Sequence, residues 1–269
     1  MGKQNPFLFK EISRTEHWRV PEIILSQCLK HPNRKIIEFT DGPEWTFKDL
    51  KIKSLHKARI LKNLNLKAGD SLTVIIEDPK EFILYWIASN FLGVMFVALN
   101  TAVKGKGLLH QINTSKSKHV IVDNLFFDEV NDLKNNNKLD VEILNCSELK
   151  NKEIINENEV IFGKLSDNVC TMFTSGTSGP SKGVMMPNAH CVLFAIGTIE
   201  NYDLKHDHVF YISLPLFHAN GLFMQLLACI ITGAKAIIRN RFSASNWLKD
   251  IRKYHVCLLY TSDAADETG

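Results

Sequence analysis

The chain predicts an α/β protein built of stacked, mostly parallel sheets covered by helices. Three observations predict it: apolar, β-rich runs alternate with helical stretches, the alternation occurs in two series, and no fixed-period repeat competes with it. In the first series, residues 71–77 read as a strand that ends at the turn signal Asp78-Pro79. Residues 80–94 read as a mostly buried helix and 95–99 as a strand. Residues 106–117 suit an amphipathic helix, with Leu108, Leu109 and Ile112 on one side. A strand at 120–122, a helix at 127–134 and a strand at 141–144 follow. The segment 131–159 is rich in Asn, Lys and Glu, and is expected to hold exposed loops.

The second series starts with a strand at 169–173. It continues with a helix at 188–201, a strand at 208–213, a helix at 221–231 and a strand at 235–239. A helix at 244–254 and a strand at 256–260 complete it. Strands spaced by helices of this kind form parallel sheets with helices on both faces. The small, polar run 263–269 follows a buried-looking strand directly, without a covering helix, so a non-native tail is expected there.

Composition removes several classes. With 269 residues, 45% hydrophobic and 23% charged, the chain can bury a real core and is neither disordered, collagenous nor coiled coil. A net charge of +3, from 32 basic and 29 acidic residues, is too small to argue for nucleic acid or an anionic membrane surface. The six cysteines, Cys28, Cys146, Cys170, Cys191, Cys229 and Cys257, form no Cys-x-x-Cys pair. They are expected to be buried, reduced thiols of a cytoplasmic protein. The first residues lack the long apolar stretch of a secretory signal, and Pro6 stands where a myristoylation pattern needs Ser or Thr. Residues 82–99 lack charge over a length at the lower limit for a bilayer span. Ser89, Asn90 and Gly93 within them favour a buried helix running into a buried strand.

The chemistry concentrates at residues 173–183. A β-rich run, Val169 to Phe173, leads into Thr174-Ser175-Gly176-Thr177-Ser178-Gly179-Pro180-Ser181-Lys182-Gly183. The glycines let the backbone bend and bring its amides close to a ligand. The hydroxyls of Thr174, Ser175, Thr177 and Ser178 can donate to phosphate oxygens, and successive amides make an anion-binding concavity. Lys182 adds a mobile positive charge suited to phosphates. The spacing is not that of a P-loop: Ser181 occupies the place of its second glycine, and Gly183 follows the lysine instead of Ser or Thr. A plain Ser/Gly linker would need neither Pro180 and Lys182 at set positions nor two flanking apolar runs.

This loop resembles the signature of the adenylate-forming (AMP-binding) superfamily of acyl- and aryl-CoA synthetases, luciferases and peptide-synthetase adenylation domains. That signature reads Tyr/Phe-Thr-Ser-Gly-Thr-Thr-Gly-x-Pro/Ser-Lys-Gly. Residues 173–183 match it, with Ser178 for the usual Thr and Ser181 for the common Pro. Leu214-Pro215-Leu216-Phe217-His218-Ala219-Asn220-Gly221 resembles the next core motif, in which an aromatic-His pair borders the acyl pocket and the ATP site. A histidine considered alone is more often a core residue; its place after a strand end supports a site, since ligands collect at strand carboxyl ends. Trp45-Thr46-Phe47-Lys48-Asp49-Leu50 is similar to the family's early helix start. Residues 100–105, the Pro-Leu-Phe-His form and Phe242-Ser243-Ala244 look most like the carnitine/crotonobetaine-CoA ligase branch.

The resemblance implies that residues 1–261 are part of the large N-terminal domain of an acyl-adenylating enzyme, with 262–269 a non-native or disordered tail and the C-terminal domain absent. It implies ATP, Mg2+ and coenzyme A, the last as co-substrate, and a small-molecule carboxylate, fatty or other acyl, as the acid. Thr174, Ser175, Gly176, Thr177, Ser178, Gly179 and Lys182 would bind ATP, with Lys182 and His218 as the catalytic pair. His218 would shape the carboxylate site without moving a proton. Phe217, His218, Gly221 and Leu222 would line the acyl pocket, whose apolar letters suit a fatty chain, although core packing gives the same letters. No metal ligand is assigned, because the acidic element expected to hold magnesium would lie downstream. The chain alone is expected to be inactive. Two other readings stay open: loading of a carrier-protein thiol, and a nonenzymatic nucleotide-binding relative.

Overall fold

The computed structural model describes residues 5–137, 139–150, 153–175 and 179–259. In chain order the elements are α1 (Val20–Lys30), β1 (Lys35–Phe39), β2 (Glu44–Thr46), α2 (Phe47–Asn63), β3 (Ser71–Ile75), α3 (Pro79–Phe91) and β4 (Met95–Ala98). Next come α4 (Gly105–Ser115), β5 (His119–Val122), α5 (Phe127–Asn137), β6 (Glu142–Asn145), β7 (Asn168–Phe173), β8 (Gly183–Pro187) and α6 (Asn188–Tyr202). The series closes with β9 (Val209–Ile212), a π-helix Asn220–Leu227 continuing into α7 (Ala228–Thr232), β10 (Lys235–Ile238), α8 (Ala244–Tyr254) and β11 (Leu258–Leu259). The chain forms two compact units, one of residues 1–17, 23–49 and 191–269, the other of residues 18–22 and 50–190.

The second unit holds a six-stranded sheet in the order β6-β5-β3-β4-β7-β8, parallel except that β8 runs antiparallel to β7. The expected α/β class is therefore observed, with β8 as the departure from parallel pairing. β3 begins the switch: the chain goes to β4 on one side and then returns to β5 on the other, the arrangement that opens a crevice at strand carboxyl ends. The uncharged stretch 82–99 divides as expected into helix and strand. Asp78 caps α3 by accepting from the Lys80 amide at 3.0 Å, Pro79 supplies a fixed φ at its start, and Phe82 to Phe91 are buried. Phe82 meets Phe96 of β4 edge-on at 5.1 Å. No described helix is long and apolar enough to cross a membrane. Leu108 and Ile112 of α4 and Val130 of α5 pack on Ile75, Val97, Leu99, Val120 and Val122, which fixes α4 against the sheet.

The first unit holds a five-stranded sheet in the order β11-β9-β10-β1-β2, parallel except for β2 on β1. Thr46 and Asp49 cap the start of α2 reciprocally: the Asp49 carboxylate accepts from the Thr46 amide at 2.9 Å, and the Asp49 amide donates to Thr46 Oγ1 at 3.1 Å. The helix start expected at 45–50 is thus observed. Buried Gln27 donates to the carbonyls of Phe7, Ile230 and Ile231, tying α1 to α7 and the chain start. Asp250 of α8 accepts from Tyr211 at 2.8 Å and from Arg239 at 2.6 Å, joining the helix to β9 and the end of β10. Burial alone would raise the Asp250 carboxyl, but the Arg239 and Tyr211 hydrogen bonds outweigh it and hold the group below its ordinary range. All six cysteines are free; five are buried as expected, whereas Cys257 is exposed. Its position just before the edge strand β11 explains the difference.

Candidate active site

β7 is the fifth strand of its sheet, paired to β4 through Phe96↔Cys170, Val97↔Thr171 and Ala98↔Met172. At its carboxyl end the chain leaves the sheet at Thr174 and returns as β8, with Phe173 opposite Gly183. A side chain at 183 would bring its Cβ to 3.1 Å from Thr171 Cγ2 and 3.4 Å from the Phe173 ring, so glycine suits this re-entry point. The base of the loop is closed by three hydrogen bonds. The Thr174 amide donates to the Lys182 carbonyl at 3.0 Å, the Lys182 amide to Thr174 Oγ1 at 3.0 Å, and the Ser181 hydroxyl to the Thr174 carbonyl at 2.6 Å.

Thr174, Ser175 and Gly179 are exposed on this loop, and so is Lys182, whose ammonium has no ion-pair partner among the described residues. An unpaired cation on a phosphate-type loop is free to meet an anion, whereas a structural lysine is usually paired or lies along apolar surface. Gly179 has φ +150°, a backbone angle open to glycine and strained for other residues. Gly176, Thr177 and Ser178, expected to bind ATP, lie outside the described residues. Two side chains of α4 that the sequence reading did not single out reach the loop: His110 and Gln111 both contact Ser181. No local pattern points to them, because they approach from about seventy residues upstream in the chain.

The second motif lies in the first unit, after β9. The chain turns at residues 213–219, the His218 amide donating to the Pro215 carbonyl at 3.2 Å and the Leu222 amide to the His218 carbonyl at 3.1 Å. Gly221 lies against this turn: a Cβ there would stand 2.8 Å from the Pro215 oxygen and 3.0 Å from that of Leu214. His218 is exposed beside half-buried Phe217, their rings 4.6 Å apart. Leu222, expected on a pocket wall, is 0% exposed and belongs to the packed core of its unit, as does Phe223. The helix expected over 221–231 is present, but its first two turns are π-helical. Such wide turns recur at functional sites, and here the geometry places His218 just before one.

Loop and His218 motif therefore each follow the carboxyl end of a parallel strand, in separate units. A cavity of about 470 Å3 in the second unit lies elsewhere, beside Met95 and Asn168 at the amino ends of β4 and β7. Among the described residues no three His, Cys, Asp or Glu side chains gather as a metal site.

A family model described as "AMP-binding enzyme" matches residues 25–264. The chain is 25% identical over 258 residues to mouse (Mus musculus) long-chain fatty acid transport protein 6, covering 90% of this chain and 41% of that protein. It is 29% identical over 198 residues to 2-succinylbenzoate–CoA ligase of Bacillus licheniformis, covering 74% of this chain and 40% of the relative. The solved structure of o-succinylbenzoate CoA synthetase from Bacillus subtilis, in complex with its acyl-adenylate intermediate, aligns with TM-score 0.79 at 25% identity, covering 91% of this chain and 61% of that one. The chain spans about two fifths of the length of these curated relatives.

Proposed function

The chain belongs to the AMP-binding enzyme family, and from that membership we propose that it carries the ATP-handling loop of an acid–thiol ligase that makes acyl-CoA through an acyl-adenylate. The single observation that carries the reading is the exposed Lys182, unpaired among the described residues, beside Thr174 on a loop closed at its base, at the carboxyl end of β7. The relatives that support it join acids to coenzyme A or bind an acyl-adenylate by their descriptions.

In the proposed first step, a carboxylate oxygen attacks the α-phosphorus of ATP. The new O–P bond forms as the bond from the α-phosphorus to the bridging oxygen breaks, and pyrophosphate leaves with that electron pair. Negative charge builds on the departing pyrophosphate. Lys182 would stabilise it as a point charge, and the hydroxyls of Thr174 and Ser175 would donate to its oxygens. Holding nucleotide and acid in line supplies a further large part of the rate. In the second step the coenzyme A sulfur attacks the acyl carbon, the C–O bond to AMP breaks, and the thiol proton passes to water. His218 and half-buried Phe217 would border the acid, as a fixed aromatic wall and not as a base. Magnesium would offset part of the triphosphate charge. Among the described residues no three His, Cys, Asp or Glu side chains gather to hold that ion, so no step is assigned to it. The acid is proposed to be a fatty or other acyl acid, in keeping with the different acids named for the relatives.

ATP–pyrophosphate exchange by the full-length polypeptide that contains this chain tests the reading, over short, long and betaine-type acids. Exchange driven by one acid class, followed by thioester formation on coenzyme A, is the expected result. Exchange without that thioester assigns the acyl group to a carrier-protein thiol, and no exchange with any acid leaves only nucleotide binding.

A further inference from the structure

We propose that His110 and Gln111 of α4 are positioning residues that hold the base of the phosphate loop through Ser181, and thereby set where Lys182 projects. This rests on the ligase reading for its consequence, and on hydrogen bonds within one compact unit for its geometry. His110 Nε2 lies 2.8 Å from the Ser181 carbonyl oxygen. A carbonyl only accepts, so Nε2 carries the proton and donates. Gln111 Nε2 donates to the Ser181 hydroxyl at 3.2 Å, and that hydroxyl in turn donates to the Thr174 carbonyl at 2.6 Å. Ser181 is thus gripped on both its backbone and its side chain, and it passes the grip across to the other side of the loop's base.

Three further facts favour positioning over incidental contact. First, α4 is a firm anchor: Leu108 and Ile112, on either side of the pair, are 2% and 1% exposed in the core cluster under the sheet. Second, Gln111 is itself 3% exposed and its Oε1 has no hydrogen-bond partner among the described residues. An apolar side chain would fill that place without leaving a buried oxygen unpaired. What the amide adds there is the bond to Ser181. Third, Ser181 immediately precedes Lys182, whose own amide is held by Thr174 Oγ1 at 3.0 Å. A shift of Ser181 therefore moves the lysine backbone directly. Proline at 181 would keep the carbonyl and lose the hydroxyl, so the Gln111 arm depends on the serine in this chain.

The test uses the full-length polypeptide and two readouts. In ATP–pyrophosphate exchange, Gln111→Ala and His110→Ala are each expected to lower kcat by roughly tenfold, with KM for the acid unchanged, since displacements near 1 Å at a reacting centre cost up to about a hundredfold. His110→Gln, which keeps an N–H donor, is expected to recover most of the loss. The double variant Gln111→Ala/Ser181→Ala is expected to be no slower than the worse single variant, because both substitutions cut one connection. Losses that multiply overturn the proposal, as does a fall in melting temperature with kcat intact. The second readout needs no activity: amide hydrogen exchange at Thr174 and Lys182 should quicken in Gln111→Ala while the β7–β8 pairs stay protected. Unchanged protection at those two amides overturns the clamp. A wild-type protein inactive with every acid overturns the ligase reading alone, and the amide measurement still decides the clamp.

Discussion

At the carboxyl end of β7 hydrogen bonds close the base of an exposed loop; at the carboxyl end of β9 backbone packs closely on backbone at Gly221. The glycines make the contrast concrete. Among the described residues nothing lies within 4 Å of a Cβ built on Gly179, whose φ is +150°. A Cβ built on Gly221 would stand within 3.0 Å of two backbone oxygens, so there the missing Cβ matters, not the backbone angle. The same residue type thus serves reach in one motif and close approach in the other. A polar loop on a firm base can adapt its amides and hydroxyls to a charged ligand. A packed turn can hold an aromatic-His pair at one fixed place, which suits shape recognition of an acid.

The largest effect that would sharpen this contrast is at Lys182. Because its ammonium is exposed and unpaired among the described residues, Lys182→Ala should leave the unfolding free energy of the full-length protein, read from urea melts, within about 0.5 kcal/mol of wild type. Exchange should fall by roughly 10²–10³, the loss typical of removing one preorganised charge or donor from a developing anion. A Lys182→Ala protein that exchanges pyrophosphate at the wild-type rate would remove the loop from the chemistry.

How much of this was legible in the sequence differs between the two edges in the same way. The loop could be read because its chemistry is local: residues 173–183 carry the hydroxyls, the lysine and the glycine in one run, and the base of the loop closes within that run. Its support could not be read, because His110 and Gln111 come from another element and look like ordinary helix letters. Near His218 the motif was legible but its packing was not. The run 221–231 is apolar on every side, so periodicity gave a helix without distinguishing π from α turns. The same uniformity hid that Leu222 faces the core. β1 and β2 were missed although they pair locally and Asp41-Gly42 in the short connection between them is a hairpin signal; only the pairing of β1 with β10, about two hundred residues later, has no local mark. β8 was seen only as an apolar run; its exposed Val184 and Met185 are those of an edge strand.

The next effect in size breaks the packed edge. Gly221→Ala puts a Cβ against the carbonyls of Leu214 and Pro215, which are backbone and cannot swing aside as a side chain could. Overpacking of this kind costs about 1–3 kcal/mol, to be read as a lowered urea midpoint. The turn that carries Phe217 and His218 must shift to relieve it, so KM for the acid should rise while KM for ATP changes little. A midpoint equal to wild type would show that the turn yields freely, and the contrast between the two edges would lose its packed half.

The smallest effect tests the open edge from the other side. Gly179→Ala meets no atom of the described residues, so its expected cost comes from the backbone angle, and an exposed loop can relax to another φ. The unfolding free energy read from urea melts should therefore fall by less than about 1 kcal/mol, although the strain of the native angle in a non-glycine residue is about 1–3 kcal/mol. The relaxed turn re-aims the amides beside it, and exchange should fall by roughly tenfold. Gly179→Asn separates two explanations. Asparagine tolerates the left-handed region near φ +57° but not an angle of +150°. If Asn restores exchange where Ala does not, the loop works in an ordinary left-handed turn. If both fail alike, only glycine can supply the angle, and the open space around Gly179 serves the backbone's reach toward the phosphates.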